Sequence, residues 1–185
     1  MTETRGKTTG LNFKDCLSVL QQEATAERRL RLCEEYLNDG SLGRKEIGVL
    51  HGCMGATYFE LAHERMRAAR AAGRPSGADL VQVERDLRES LQQYTSAIAM
   101  NPGNFMDHWN RGLSYEYLGN LDQALSDYTQ AVRIDPDFAK GYLYRARILE
   151  QQGEIEKAMA DIREAHRRDP KDPAVIEAMS RRGLI

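Results

Sequence analysis

WNRGLSYEYLGNLDQALSDYTQAVRIDPD, residues 109–137, is answered 34 positions later by LYRARILEQQGEIEKAMADIREAHRRDPK, residues 143–171. Pro102, Pro136 and Pro170 carry the same period, each behind an amide or acid in the phrases MNP, IDP and RDP. Counting back from each proline returns Ala97, Ala131 and Ala165, then Tyr94, Tyr128 and Ile162, then Ser90, Ala124 and Ala158. In the last two units Gly112 matches Ala146, Tyr115 matches Leu149, and Gly119 matches Gly153. A fixed period of this length marks stacked supersecondary units, so the chain is expected to be all-α. Small residues such as Gly112, Ala124, Ala146 and Ala158 let two antiparallel helices approach where they cross. Tyr115, Tyr128, Leu149 and Ile162 fill the wedge between hairpins. Glycine at 119 and 153 ends each first helix, because it enters the left-handed conformation cheaply. Asn120, with Gln123 three residues on, predicts a capping box for the following helix. Asn104 and Asp137 are the expected N-caps after the prolines.

These two stretches resemble the tetratricopeptide repeat. The resemblance covers residues 105–172; His108 and Tyr142 stand at the family's Trp position, and Arg111 and Arg145 at its Leu position. An RG or RA step there is similar to many bacterial members. The resemblance implies a superhelical stack of antiparallel helix hairpins, an α-solenoid of about three units, whose concave groove holds another polypeptide without catalysis. On that pattern residues 105–138 and 139–172 form one repeat each. Residues 173–185 form a capping helix, with Asp172 as N-cap and Pro173 in its first turn.

Upstream, ESLQQYTSAIAMNP (89–102) reads as the second half of another repeat, and Gly55 with Tyr58 supplies its partner helix. Tyr115 to Ala124 and Leu149 to Ala158 each span nine steps, whereas Tyr58 to Ser90 spans 32. The excess, shared between two helices, adds about three turns or roughly 17 Å to each. Residues 46–102 are therefore an elongated first hairpin with an insertion near 60–88, broken by GRPSGA at 73–78. Asp79 is its expected cap, and Leu80, Val83, Leu87 and Leu91 are expected to face Leu61, Met66 and Ala69. Residues 13–40 read as an N-terminal helical pair closed at Gly40. Residues 1–12 read as a disordered tail.

Composition removes several function classes. Apolar residues are 41% and charged residues 29%, with a formal net charge of −2. No field of either sign recruits nucleic acid or an anionic membrane. Arg163, Arg167, Arg168 and Lys171 read as a solvated helix end rather than a nucleic-acid patch. No window approaches the roughly 18 apolar residues of a membrane span, and the first residues hold no apolar signal core. Cys16, Cys33 and Cys53 form no CxxC pair and suit a reducing cytoplasm. His51, His63, His108 and His166 are dispersed. His63-Glu64 begins like a zincin, but Arg67 stands where the second histidine belongs. No cofactor, metal or catalytic constellation is expected, and the chain is not read as an enzyme.

The first helix of each repeat should line the groove. In register the inward positions are Met106, Trp109, Asn110, Leu113 and Tyr117, then Lys140, Leu143, Tyr144, Arg147 and Gln151. In the long hairpin they are Val49, Gly52, Cys53, Ala56 and Phe59. Met106, Trp109, Asn110, Leu113, Tyr117, Lys140, Tyr144 and Arg147 form the candidate peptide site, with rings for area and an amide and cations for backbone or carboxylate groups. Some members of the family read a C-terminal carboxylate through five polar residues. Here only Asn110 and Lys140 match, so that mode is not favoured. The leading expectation is an adaptor or scaffold for a protein partner. The alternatives are self-assembly through the elongated hairpin and service as a chaperone for an exported substrate.

Overall fold

A computed structural model describes residues 20–23 and 25–184 of the chain. The expected tail at 1–12, the opening of the helical pair at 13, and Cys16 lie outside the described residues. All regular structure among them is helical, and the chain divides into two compact units, up to Asn101 and from Pro102 onward.

In the first unit residues 20–22 are helical, followed by α1 (Ala26–Asp39), α2 (Arg44–Ala71) and α3 (Gly77–Met100). Gly40 ends α1 at φ 71°. α2 and α3 run antiparallel, since Gly48 meets Met100, Gly55 meets Tyr94, and Arg65 pairs with Asp86 at 2.8 Å. Their 28 and 24 residues make rods of about 42 and 36 Å at 1.5 Å per residue. Leu50 and Met54 of α2 bury against Cys33 of α1 and Leu20. At the far end α3 starts two residues before Asp79. Ser76 is the cap, its hydroxyl accepting from the Asp79 N–H, while the Asp79 carboxylate takes the Ser76 N–H at 2.8 Å. Asp79 is thus the reciprocal partner of a capping box rather than the cap. Leu80 is 48% exposed and Val81 68%, whereas Val83 and Leu87 are buried.

The second unit holds α4 (Phe105–Tyr117), α5 (Leu121–Ile134), α6 (Ala139–Gln151), α7 (Ile155–Arg168) and α8 (Pro173–Ser180). α4 pairs with α5 and α6 with α7; α5 packs on α6, and α8 on α7. α3, α5 and α7 all stop two residues before a proline of the 34-residue series, whose ring cannot continue the ladder. Gly119 and Gly153 sit at φ 78° and 80°. The Gly119 N–H donates to the Glu116 carbonyl and the Asn120 N–H to that of Tyr115, and residues 149–154 repeat the pattern. These are Schellman motifs, which β-carbons would strain.

The close approach at the crossing is tightest at Gly112. A β-carbon there would lie 2.6 Å from the Tyr128 ring, a ring that is fully buried. Ala146, Ala158, Ile162 and Ala165 make the equivalent contact in the next hairpin, joined by Val175, Ala178 and Met179 of α8. Two expected caps are corrected. Asn120 precedes α5 but its side chain bonds no helix N–H, and α6 begins after Phe138, one residue beyond Asp137. Asn104 and Asp172 do cap, accepting from the N–H groups of Met106 at 3.3 Å and Ala174 at 2.8 Å.

Candidate functional site

Arg111 and Arg145, the apparent departures from an apolar position, have a structural purpose. The Arg111 guanidinium donates through Nε and a terminal nitrogen to both oxygens of Asp127, each at 2.8 Å. Arg145 does the same to Asp161 at 2.7 Å. Asp127 and Asp161 are also 34 apart, so one fork staples each first helix to its second. His108 adds Nδ1 at 3.4 Å to Asp127. Burial pushes the Asp127 carboxyl up, but the Arg111 fork and His108 outweigh it and hold it below its ordinary value. In the long hairpin the same place is held by His51 with the uncharged amide of Gln93 at 2.7 Å. Asp107, in the first turn of α4, has no such cation. Burial drives its carboxyl up to about 6, against a 2.7 Å bond from the Asn104 amide and the nearby His108.

On the other side of α4 and α6 the rings form a chain. Phe105 meets Phe138 at 4.9 Å between centroids, Phe138 meets Trp109 edge-on at 5.4 Å, Trp109 meets Tyr144 at 5.5 Å, and Tyr144 meets Tyr128 at 5.8 Å. Such T-shaped contacts add to area burial. Trp109 is therefore half-buried in a cluster with Tyr128 and Ile148. Its indole N–H is enclosed and meets no acceptor among the described residues, so the ring offers a ligand an edge rather than a hydrogen bond.

Around this chain lie the groups that reach solvent. Met106 and Tyr117 are exposed on α4, and Lys140 is exposed on α6 with no partner among the described residues. Asn110 and Leu113 are half-buried on the same face. Arg147 is already engaged: it donates to Glu116 at 2.8 Å and lies 4.4 Å over the Tyr144 ring, while the Tyr128 hydroxyl donates to the same Glu116. Glu116 was not legible as a site residue. Only the glutamate is periodic: Glu150 stands 34 residues on and takes Arg182, one residue beyond the register equivalent of Arg147. Beside Tyr144 and Arg147 a cleft of about 220 Å³ opens between α6 and α8, also lined by Leu143, Ala146, Ile162 and Ala178. Gly52, Cys53 and the other inward positions of the long hairpin belong to α2, in the first unit.

Residues 109–173 match the tetratricopeptide repeat family. Over that span the chain carries tetratricopeptide repeats. Solved structures agree in fold alone. A monomeric mutant of IFIT1 with Gppp-AAAA aligns at TM-score 0.72 with 15% identity, over 91% of this chain and 36% of that one. MamA MSR-1 C2 aligns at 0.58 with 18% identity, covering 87% and 79%. The first TPR of Spaghetti (RPAP3), bound to the HSP90 peptide SRMEEVD, aligns at 0.51 with 17% identity, covering 69% and 88%. No curated protein matches the chain. Among the described residues no helix is long and apolar enough to cross a membrane, and no three His, Cys, Asp or Glu are placed to hold a metal.

Proposed function

We propose that the repeats of residues 105–172 hold a segment of another polypeptide along the α4/α6 face, as an adaptor or scaffold without catalysis. The observation that carries this reading is that solvent-exposed Met106 and Tyr117, and Lys140 without a partner among the described residues, share the helices that carry the Trp109–Tyr144 ring pair. Rings supply contact area at low entropic cost, and the exposed Lys140 ammonium and the Asn110 amide supply polar contacts. Arg147 serves by stiffening Tyr144, since Glu116 already takes its charge. The repeat of Spaghetti, which binds a peptide, lends the reading support by fold.

Trp109 and Tyr144 also pack the hairpins together, so the informative variants are at exposed positions. Tyr117→Ala with Lys140→Glu should abolish co-purification of the partner while far-UV circular dichroism stays unchanged. Full retention of the partner by that double variant would refute the assignment. A second reading is favoured by Leu80 and Val81, which reach solvent on the long hairpin: association of two copies there. A monomer by light scattering at high micromolar concentration would remove it.

A further inference from the structure

The cleft between α6 and α8 arises from three substitutions in the repeat register. At the preceding step, between α4 and α6, the space is filled by Trp109, Phe138 and Tyr144. Thirty-four residues on, the same places hold Leu143, Asp172 and Ala178. Asp172 is occupied in capping α8, and Leu143 and Ala178 line the opening that the missing rings leave, at about 220 Å³. Ile162 and Ala146 close its floor and are essentially inaccessible to solvent. A Glu–Arg contact persists, Glu150 taking Arg182 one residue out of register with Arg147, so the apolar filling is what has gone.

The charge at the rim selects what can enter. Arg147, Arg181 and Arg182 line the cleft, and each is paired, with Glu116, Glu177 and Glu150 respectively. A carboxylate entering there would compete with those glutamates for the arginines, and a cation would meet the arginines. A neutral apolar group meets neither cost and removes apolar wall from water. The volume lies below the roughly 300–1,000 Å³ usual for small-molecule and cofactor sites. It has room for one large side chain.

Resting on the proposed polypeptide-binding role, we propose that this cleft takes a single aromatic or large aliphatic side chain from an internal, uncharged stretch of the partner. That side chain stands where the preceding repeat step places its own Tyr144. The cleft is then the pocket that sets sequence preference, and the α4/α6 face guides the rest of the segment.

The test uses the full chain and a displayed library of randomised twelve-residue peptides with blocked C-termini, followed by affinities of the selected peptides. The expected selection is one fixed aromatic or large aliphatic position among neutral neighbours. Ala178→Tyr restores the missing ring and should weaken those peptides at least tenfold, with an unchanged or raised melting temperature. Ala174→Trp, at an exposed position on the rim, is the second blocking variant should Ala178→Tyr fail to fold. Peptides lost with Tyr117→Ala and Lys140→Glu but indifferent to both blocking variants would sink the pocket and leave the α4/α6 face standing. Peptides indifferent to all four changes, or no enrichment at all, would overturn both.

Discussion

The long hairpin α2/α3 and the short hairpin α4/α5 cross on the same contact, a glycine against a tyrosine ring, yet they are built to different tolerances. A β-carbon at Gly55 would stand 3.0 Å from Tyr94, and one at Gly112 2.6 Å from Tyr128. Beside the glycine, the long hairpin uses a His51–Gln93 amide bond and the short one a part-buried Arg111–Asp127 fork. The long hairpin runs on past the crossing until Ser76 and Asp79 restart the chain; the short one is cut at once by Gly119. Crossing and length are thus separable: small residues fix where helices meet, and turn chemistry fixes where they stop.

The sharpest way to break that comparison is at the polar staple. Asp127→Ala leaves Arg111 and His108 without their carboxylate in a site where Asp127 is 3% exposed, and should cost about 3–5 kcal/mol. Gln93→Ala removes a neutral partner from His51 and should cost about 1 kcal/mol. Trp109 is the one tryptophan of the chain and belongs to the second unit, so its fluorescence during urea unfolding reports the first variant, and circular dichroism the second. Equal losses would mean the fork is no tighter than the His51–Gln93 bond.

Next in size is a pH effect confined to the second unit. The fold favours neutral Asp107, whose carboxyl is pushed up to about 6 from an ordinary 3.8. Its contribution is therefore fully present below about pH 4 and is lost as pH rises through about 6. Asp107→Asn imitates the neutral acid and should be more stable than the parent by on the order of 2 kcal/mol at pH 8, with no difference at pH 4. Urea midpoints read by Trp109 fluorescence at the two pH values decide this, and a constant difference would contradict it.

The smallest expected effect compares the glycines directly. Gly112→Ala sets overpacking of about 1–3 kcal/mol against a helix-propensity gain of about 1 kcal/mol, and should be net destabilising. Gly55→Ala meets a looser ring and should come out near zero. Thermal melts of both variants test the order, and a reversal would show that the Tyr128 ring moves aside more readily than Tyr94.

The all-α hairpin architecture was legible because small, large and proline positions recur at one interval, a signal summed over many residues. Single caps were less legible, since Ser76 against Asp79 and Phe138 against Asp137 differ by backbone angles that composition does not specify. The Arg111–Asp127 and Arg145–Asp161 forks were visible in principle, as both partners repeat 34 residues on. They were missed because a register argument assigns each residue to its own helix face and not to a partner 16 residues away. On the candidate site, exposure of Tyr117 and Lys140 could be read from position. The engagement of Arg147 by Glu116 depends on side-chain reach between successive hairpins.

The most direct test of polypeptide binding at the repeats is a photo-crosslinking scan, with a photoreactive amino acid placed singly at Tyr117, Lys140, Thr129, Lys157 and Leu80 of the full chain in its native extract. Defined adducts from positions 117 and 140, with none from 129, 157 or 80, are the expected result. Adducts from Thr129 or Lys157, or from Leu80 alone, would place the partner elsewhere and contradict it.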